Sequence, residues 1–309
     1  MSIPSRTGRD ALLHDTTALE PRTNRVLAAL TPENLQAWLP FLRPTHLLRG
    51  QVLPADQAFF PTTATVSLFA STSAGDSTEV AMIGNEGFVG TTLLTGSEPA
   101  CEQAEVTGTG HAFALPGSTL RSEFLRSGAT MQLLLRYLQL HMAQTMQRAV
   151  CVQHHSIEQR LCRCLLESLD RGRWRSTIEL THQSLAARVG VRRETITARA
   201  LHLQGQGIIT YRLGVITVHD SAALRACSCP CYGEARSAHD RLLPPPAPGL
   251  RGDTDLLVPG LADAHFARVL HRNNAQNHHD HRHQPHAPAP HHDPAALQRA
   301  AGSGQRVDG

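Results

Sequence analysis

The chain has 309 residues, a length suited to about two domains, and is 41% hydrophobic and 18% charged, enough for a packed core. All 29 basic residues are arginines, and the formal charge of +3 selects no partner by itself. No apolar run approaches the roughly 18–20 residues that cross a bilayer, and the opening MSIPSRTGRDALLHDTTALEP lacks the apolar stretch of a secretion signal, so the expected location is the cytoplasm, away from membranes.

Aromatic residues make up only 4% of the chain, which predicts an aliphatic core. Seven cysteines, an odd number in a long chain, argue against a secreted disulfide framework. Residues 1–25 are polar and aperiodic and read as a flexible N-terminal arm. A short helix is predicted near Thr31, with Pro32 at a first-turn position where proline is tolerated. Between Leu47 and Pro116, short apolar segments (QVL, TVSLFAS, TEVAMIG, AEVTG, HAFAL) sit between Gly, Pro, Ser and Asp clusters. That spacing predicts an antiparallel sandwich or barrel.

From Ser118 to Leu169 the pattern turns helical. Met131, Leu135, Leu138, Met142, Thr145, Ala149 and Val152 alternate steps of four and three, the seam of a coiled coil. A dimer helix accounts for it, and so does a helix packed on its own sheet.

The region 156–220 is compact. A helix is predicted over 158–169, a short strand at Ile178–Leu180, a helix over 182–188 and a turn at Gly190–Val191. A second helix follows from about Arg192 to Gln204, then a hairpin around Leu213–Gly214. Helix, turn, helix and a stranded wing make a winged helix-turn-helix. Arg192, Arg193, Glu194 and Thr195 fall in the first turn of the second helix, which in this motif enters the major groove. Arginine presents a fork to guanine O6 and N7, and glutamate accepts from cytosine N4. Arg199 returns toward the same side, while Ile196, Ala200 and Leu203 fit a buried face. Leu185, Ala186 and Val189 point inward from the first helix, with His182 and Gln183 at its start, where free N–H groups favour a phosphate. Ten arginines against six acidic residues over 156–220 give this region a net positive charge.

Residues 26–233 as a whole resemble the Crp/Fnr family of bacterial transcription regulators. The resemblance is carried by GVRRETIT at 190–197, which matches the family pattern G-x-x-R-E-T-V, and by QRLCRCLL at 159–166. It implies an α+β fold: an N-terminal double-stranded β-roll of jelly-roll type over 26–125, a long dimerisation helix and hinge over 126–155, and a winged helix-turn-helix over 156–233. It also implies that Arg193 and Glu194 read bases while His182, Gln183, Arg192 and Thr195 touch phosphates. Where the family pattern has a third base-reading arginine this chain has Ala198, with Arg199 one place on.

The segment MIGNEGFVGTTLL at 82–94, with CEQAEV at 101–106, resembles the family's phosphate-binding cassette. Nucleotide binders in the family place an Arg-Ser/Thr-Ala triplet at the cyclic phosphate; here it reads Glu102-Gln103-Ala104, and Glu86-Gly87-Phe88 departs from Gly-Glu-Leu. A carboxylate beside a phosphate in a partly buried site opposes binding. The pocket over Glu86, Gly87, Glu102 and Gln103 is therefore read as degenerate. No cofactor is predicted, cyclic AMP is disfavoured, and any small-molecule effector is of undefined chemistry.

The run Cys227-Ser-Cys229-Pro-Cys231 is a weak metal candidate, because three such close ligands cannot complete a tetrahedral site without another. It carries the alternative function, a metal- or redox-sensing protein. Residues 234–309 are rich in Pro, His and Ala and read as a disordered tail, whose eight histidines over 271–292 favour adventitious metal binding. No nucleophile elbow, P-loop or paired-carboxylate signature points to an enzyme. The expected function is a dimeric, sequence-specific DNA-binding regulator, with double-stranded DNA, a second copy of the chain and RNA polymerase as partners.

Overall fold

The computed structural model describes residues 20–71, 73, 77–96, 102–171 and 176–243. The tail beyond 243 and the first 19 residues of the expected arm lie outside them. The end of that arm is ordered, contrary to expectation: a 3-10 turn at Pro21–Thr23 leads into α1 (Arg25–Ala28). Asn24 is fully buried. Its side chain accepts from the N–H groups of Val26 and Leu27 and donates to the carbonyls of Pro61 and Gly87 at 2.8 Å each. One amide thus caps a helix and stitches it to the end of β2 and to the loop after β4. Helix α2 (Pro32–Trp38) starts as the sequence predicts, with Thr31 accepting from the N–H of Asn34.

Six antiparallel strands follow: β1 (Arg43–Leu47), β2 (Gln57–Pro61), β3 (Thr65–Ser71), β4 (Ser77–Ile83), β5 (Glu102–Gly108) and β6 (Gly110–Pro116). They form two three-stranded sheets, ordered β1-β6-β2 and β4-β3-β5. Leu47, Phe59, Val66, Leu68, Ile83, Val106 and Ala114, drawn from both sheets, share one buried core. Gln51-Val52-Leu53, read as a strand, supplies only an isolated bridge from Val52 to Glu105. Its place is taken by β1 and β2, whose sequences RPTHL and QAFFP carry prolines at strand positions that pattern reading discounts.

The core is aliphatic only in part. The scarce rings are concentrated in one place: Trp38 meets Phe60 at 5.9 Å, Phe60 meets Phe88 at 5.2 Å and Phe88 meets Tyr137 at 4.7 Å between centroids. This column joins α2, the first sheet and the long helix that follows. Aromatic pairs add favourable edge and offset contacts to the area they bury.

The helical stretch is three helices: α3 (Gly117–Arg126), α4 (Gly128–His154) and α5 (Ile157–Arg171). Ser127 breaks the first junction and caps α4 by accepting from the N–H of Thr130. At the second, Ser156 and Gln159 cap reciprocally. The Gln159 side chain accepts from the Ser156 N–H, and the Ser156 hydroxyl accepts from the Gln159 N–H, which is a capping box. The C-terminal module continues with β7 (Thr177–Glu179), α6 (His182–Val189), α7 (Arg193–Gly205), β8 (Ile209–Arg212), β9 (Val215–Val218) and α8 (Ser221–Ala226). The third sheet runs β7-β9-β8, so the strand before α6 joins the wing.

Helix α9 (Cys231–Leu242) corrects the expectation that disorder begins at 234. Its apolar face is made of small or polar-looking residues, Cys231, Tyr232, Ala235, Ala238 and His239 with Leu242, and gives little periodic signal. Tyr232 donates to Asp170, His239 faces the Glu86 carbonyl at 3.2 Å, and Arg25 donates to the Leu243 carbonyl. The helix therefore braces the C-terminal module against the β-roll.

The two parts also meet through buried charge. Arg188 of α6 lies 2.7 Å from Glu79 of β4 and donates to Ser168 and Ser67. Arg148 of α4 bridges Glu79 at 3.8 Å and Glu167 at 3.6 Å, and Arg163 pairs with Glu167 at 3.1 Å. Burial alone would raise the pKa of Glu167, but Arg163 and Arg148 hold it below the usual carboxylate value. Such a group stabilises the fold above its unfolded pKa of about 4.5 and loses that contribution as pH falls through the lowered folded value.

Removing one partner of a buried pair strands the other charge at a cost of about 3–5 kcal/mol. Arg188→Met should therefore lower stability by that amount in urea denaturation. Adding Glu79→Leu should recover most of the loss.

Candidate nucleic-acid interface

The helix-turn-helix is built by apolar spacing. Leu185, Ala186 and Val189 of α6 and Ile196, Ala200 and Leu203 of α7 are all buried in one core with α5 and the wing, as their spacing predicts. Thr181 caps α6 by accepting from the N–H of Ser184. Gly190 ends α6 at φ +71°, a left-handed conformation that glycine adopts without steric cost. This turn sets the start of α7. The wing tip is a two-residue turn with Leu213 at φ +50° and Gly214 at φ +82°, the signs that a type I′ hairpin requires.

Once the buried face is fixed, the opposite face follows. Arg192, Arg193, Glu194 and Gln183 are exposed and Thr195 is half-buried. No side chain caps the start of α7, so its free N–H groups join two guanidinium groups at one end of the helix. That end can hold phosphate oxygens and present a fork and a carboxylate to base edges.

Two predicted residues are placed differently. His182 is buried: its ring stacks on Tyr211 with centroids 3.9 Å apart, and Nδ1 lies 2.9 Å from the Thr197 hydroxyl. Burial and the nearby Arg193 lower its pKa, so the ring is neutral at pH 7. Only its backbone N–H, at the first position of α6, remains for a phosphate. Arg199 is half-exposed and sits 3.8 Å from Glu158 of α5, which also meets His202 at 3.0 Å. Glu158 draws Arg199 toward the body of the protein.

On the sensor side the expected pocket residues are not brought together. Glu86 is paired with Arg171 of α5. Burial opposes the charge of Glu86, but Arg171 keeps its pKa below the usual carboxylate value. Gln103 is exposed on β5, paired across the sheet with Phe69 of β3. A Cβ added at Gly87 would fall within 2.4 Å of the Tyr137 hydroxyl. That hydroxyl donates to the Phe88 carbonyl and accepts from the Phe88 N–H, at 2.9 and 3.0 Å. A donor in the turn that resembles a phosphate cradle is thus occupied by the protein itself. A cavity of about 230 Å³ does touch Glu86, but it is lined by α4, α5 and α9, with Arg148, Arg163, Glu167 and His239 among its walls.

Of the tail cysteines, Cys229 and Cys231 come together with Cys151 and His155 at the end of α4, while Cys227 packs half-buried against the helix-turn-helix core. Two of the four groups in this cluster therefore come from the end of α4, and Cys227 is not among them.

The described chain is a β-roll, a long connecting helix and a winged helix-turn-helix. The Crp-like helix-turn-helix domain model matches residues 159–227. Solved structures share the fold. A Crp/Fnr-family protein from Eubacterium rectale has 15% identity over 65% of this chain and 96% of its own, with a TM-score of 0.54. FixK2 from Bradyrhizobium japonicum has 15% identity over 61% and 98%, with a TM-score of 0.53. The c-di-GMP-responsive regulator CLP of Xanthomonas campestris has 16% identity over 62% and 100%, with a TM-score of 0.50. At these identities the likeness is one of fold. No curated protein sequence matches the chain significantly. Residues 159–227 are thus a Crp-like helix-turn-helix domain, and the chain shares the fold of Crp/Fnr-family structures. Among the described residues no helix is long and apolar enough to cross a membrane.

Tyr137→Phe leaves the Phe88 N–H and carbonyl buried without their partner. The expected cost is about 1–3 kcal/mol, read as a lower midpoint in chemical denaturation.

Proposed function

We propose that this chain is a dimeric, sequence-specific DNA-binding regulator that reads a pseudo-palindromic operator with the first turn of α7. The observation that carries the reading is that Arg192, Arg193 and Glu194 stand exposed on a turn whose placement is fixed by Gly190 and by the buried face of α7. Arg193 and Glu194 are the base readers. Arg192, Thr195, the Gln183 side chain and the His182 backbone N–H are phosphate contacts. The His182 ring acts as a support, bracing α6 against α7 and the wing through Thr197 and Tyr211. Arg199, held near Glu158, is assigned to the DNA backbone rather than to a base.

Dimerisation is assigned to α4. Of the predicted seam, Leu135, Met142, Thr145, Ala149 and Val152 are exposed, and Met146 and Val150 extend the apolar stripe. A second copy laid along this stripe would bury it as a coiled-coil seam. Two α7 helices would then lie about 34 Å apart, on one face of B-DNA. Domain limits follow the chain's own breaks: a sensor domain to about Arg126, the dimer helix to His154, and the DNA-binding module from Ser156 onward with α9 as an appended brace. The sensor domain is not built for cyclic AMP. Glu86 is committed to Arg171 and the Phe88 N–H to Tyr137.

Selection of bound sequences from a random DNA pool tests the function. A symmetric motif is expected, and sequence-independent binding would refute the assignment. Arg193→Ala should cost about 1–3 kcal/mol at one base position of the motif, measured by competition with single-base variants. Met142→Glu should convert the dimer to monomer in sedimentation equilibrium and abolish binding to the full palindrome.

A further inference from the structure

We propose that Cys151, His155, Cys229 and Cys231 form a tetrahedral three-thiolate, one-imidazole site for a single zinc-class divalent ion. The ion would staple the end of α4 to the turn between α8 and α9. The four ligand atoms lie within 4.8 Å of one another. The Cys151 and Cys229 sulfurs are 3.5 Å apart, and Cys231 Sγ is 3.4 Å from His155 Nδ1. With metal bonds of about 2.3 Å to sulfur and about 2.0 Å to nitrogen, a tetrahedron has edges of about 3.8 Å between sulfurs and about 3.5 Å between sulfur and nitrogen. The cluster is already close to that size. An iron–sulfur cluster spreads its four protein ligands over two or four irons and would force these groups apart. Soft thiolates with an imidazole in tetrahedral array select zinc over the hard, oxygen-seeking cations.

The local structure explains why the residues converge. Cys151 lies in the last turn of α4, and His155, four positions on, is the residue that ends the helix, its N–H donating to the Cys151 carbonyl. Cys229 and Cys231 flank Pro230 at the start of α9, in the tight Cys-Pro-Cys turn. The three sulfurs are buried and form a small cluster of their own. Gln147, one turn before Cys151, directs its Nε2 to Cys231 Sγ at 3.0 Å. A hydrogen bond of this kind orients a ligating thiolate and offsets its charge. Cys227 is outside the group.

The position gives the ion a consequence, which rests on the DNA-binding reading. His155 and Ser156 are the break between α4 and α5, where a dimer helix hands over to the head that carries α7. An ion held by both sides of this break fixes the angle between them. Its loss frees the hinge and the anchored end of α9 together, so zinc occupancy becomes an input to DNA binding.

The full chain, purified anaerobically, should hold one zinc per chain by elemental analysis. Cobalt replacement should give thiolate-to-cobalt charge transfer and the strong visible bands of a tetrahedral site. The histidine-rich tail cannot supply the charge-transfer band, so the spectrum separates the two. Cys231→Ser and His155→Ala should each alter the bands, and Cys227→Ser should leave them unchanged. A spectrum without thiolate charge transfer, bands that survive Cys229→Ser with Cys231→Ser, or a metal-free protein carrying a Cys151–Cys229 disulfide would overturn the site. Chelation should weaken binding to the selected operator about tenfold. A loaded site with unchanged operator affinity refutes the regulatory half alone. A chain that holds zinc but binds no DNA refutes the proposed function and leaves the site standing.

Discussion

The ion pair between Glu79 and Arg188 constrains this architecture more than any other contact. Two charges buried between a sheet and a helix must stay together, because either alone would face a severe desolvation penalty. Arg188 stands on the first helix of the helix-turn-helix, and Glu79 on a strand of the sensor sheet. The pair therefore sets where the DNA-reading head sits. Arg148 and Glu167 extend it to α4 and α5, so the long helix and the helix-turn-helix share one charge network. Apolar contact at the same place would hold more loosely, since it has no preferred partner atoms. The network fixes a register as well as a distance.

A second set of contacts reaches the same junction from the other side. Helix α9 runs from Cys231 beside the end of α4 to Leu243, whose carbonyl accepts from Arg25 at the start of the chain. Along the way Tyr232 binds Asp170 and His239 meets the Glu86 carbonyl. The α4–α5 break is thus held by charge on one face and by a brace on the other. A capping box closes α5 just past the break, so α4 and α5 end cleanly and can turn as units. Such a joint has few soft degrees of freedom, and a change at one point can re-aim the whole head.

The reading head was legible in sequence because its determinants are local. Gly190, the spacing of Leu185 to Leu203, and the Arg-Arg-Glu-Thr turn lie within 20 consecutive residues, and each constrains the next. The long helix was legible for the same reason. Strands β1 and β2 were not, since prolines masked them and their partner β6 lies 50 or more residues away. Helix α9 hid because cysteine, alanine and histidine do the burying. The His182 ring and Arg199 were misplaced by a motif that carries positions but not neighbours: Tyr211 and Glu158 decide where those side chains go. The cysteine site was half visible. Cys229 and Cys231 could be seen, but Cys151 lies 78 residues before its sulfur partner.

The β-roll uses internally the groups that resemble a phosphate cradle. Tyr137 fills the space over Gly87 and satisfies Phe88, and Glu86 is neutralised by Arg171 of α5. In a ligand-gated design these groups would wait for a phosphate and change partners on binding. Here they already join the roll to α4 and to the head. The polar cavity is walled by α4, α5 and α9 with Asn85 and Glu86 of the roll, while the sulfur cluster lies at the α4–α5 break. The groups that would answer a phosphate are thus spent on holding the roll to α4 and α5.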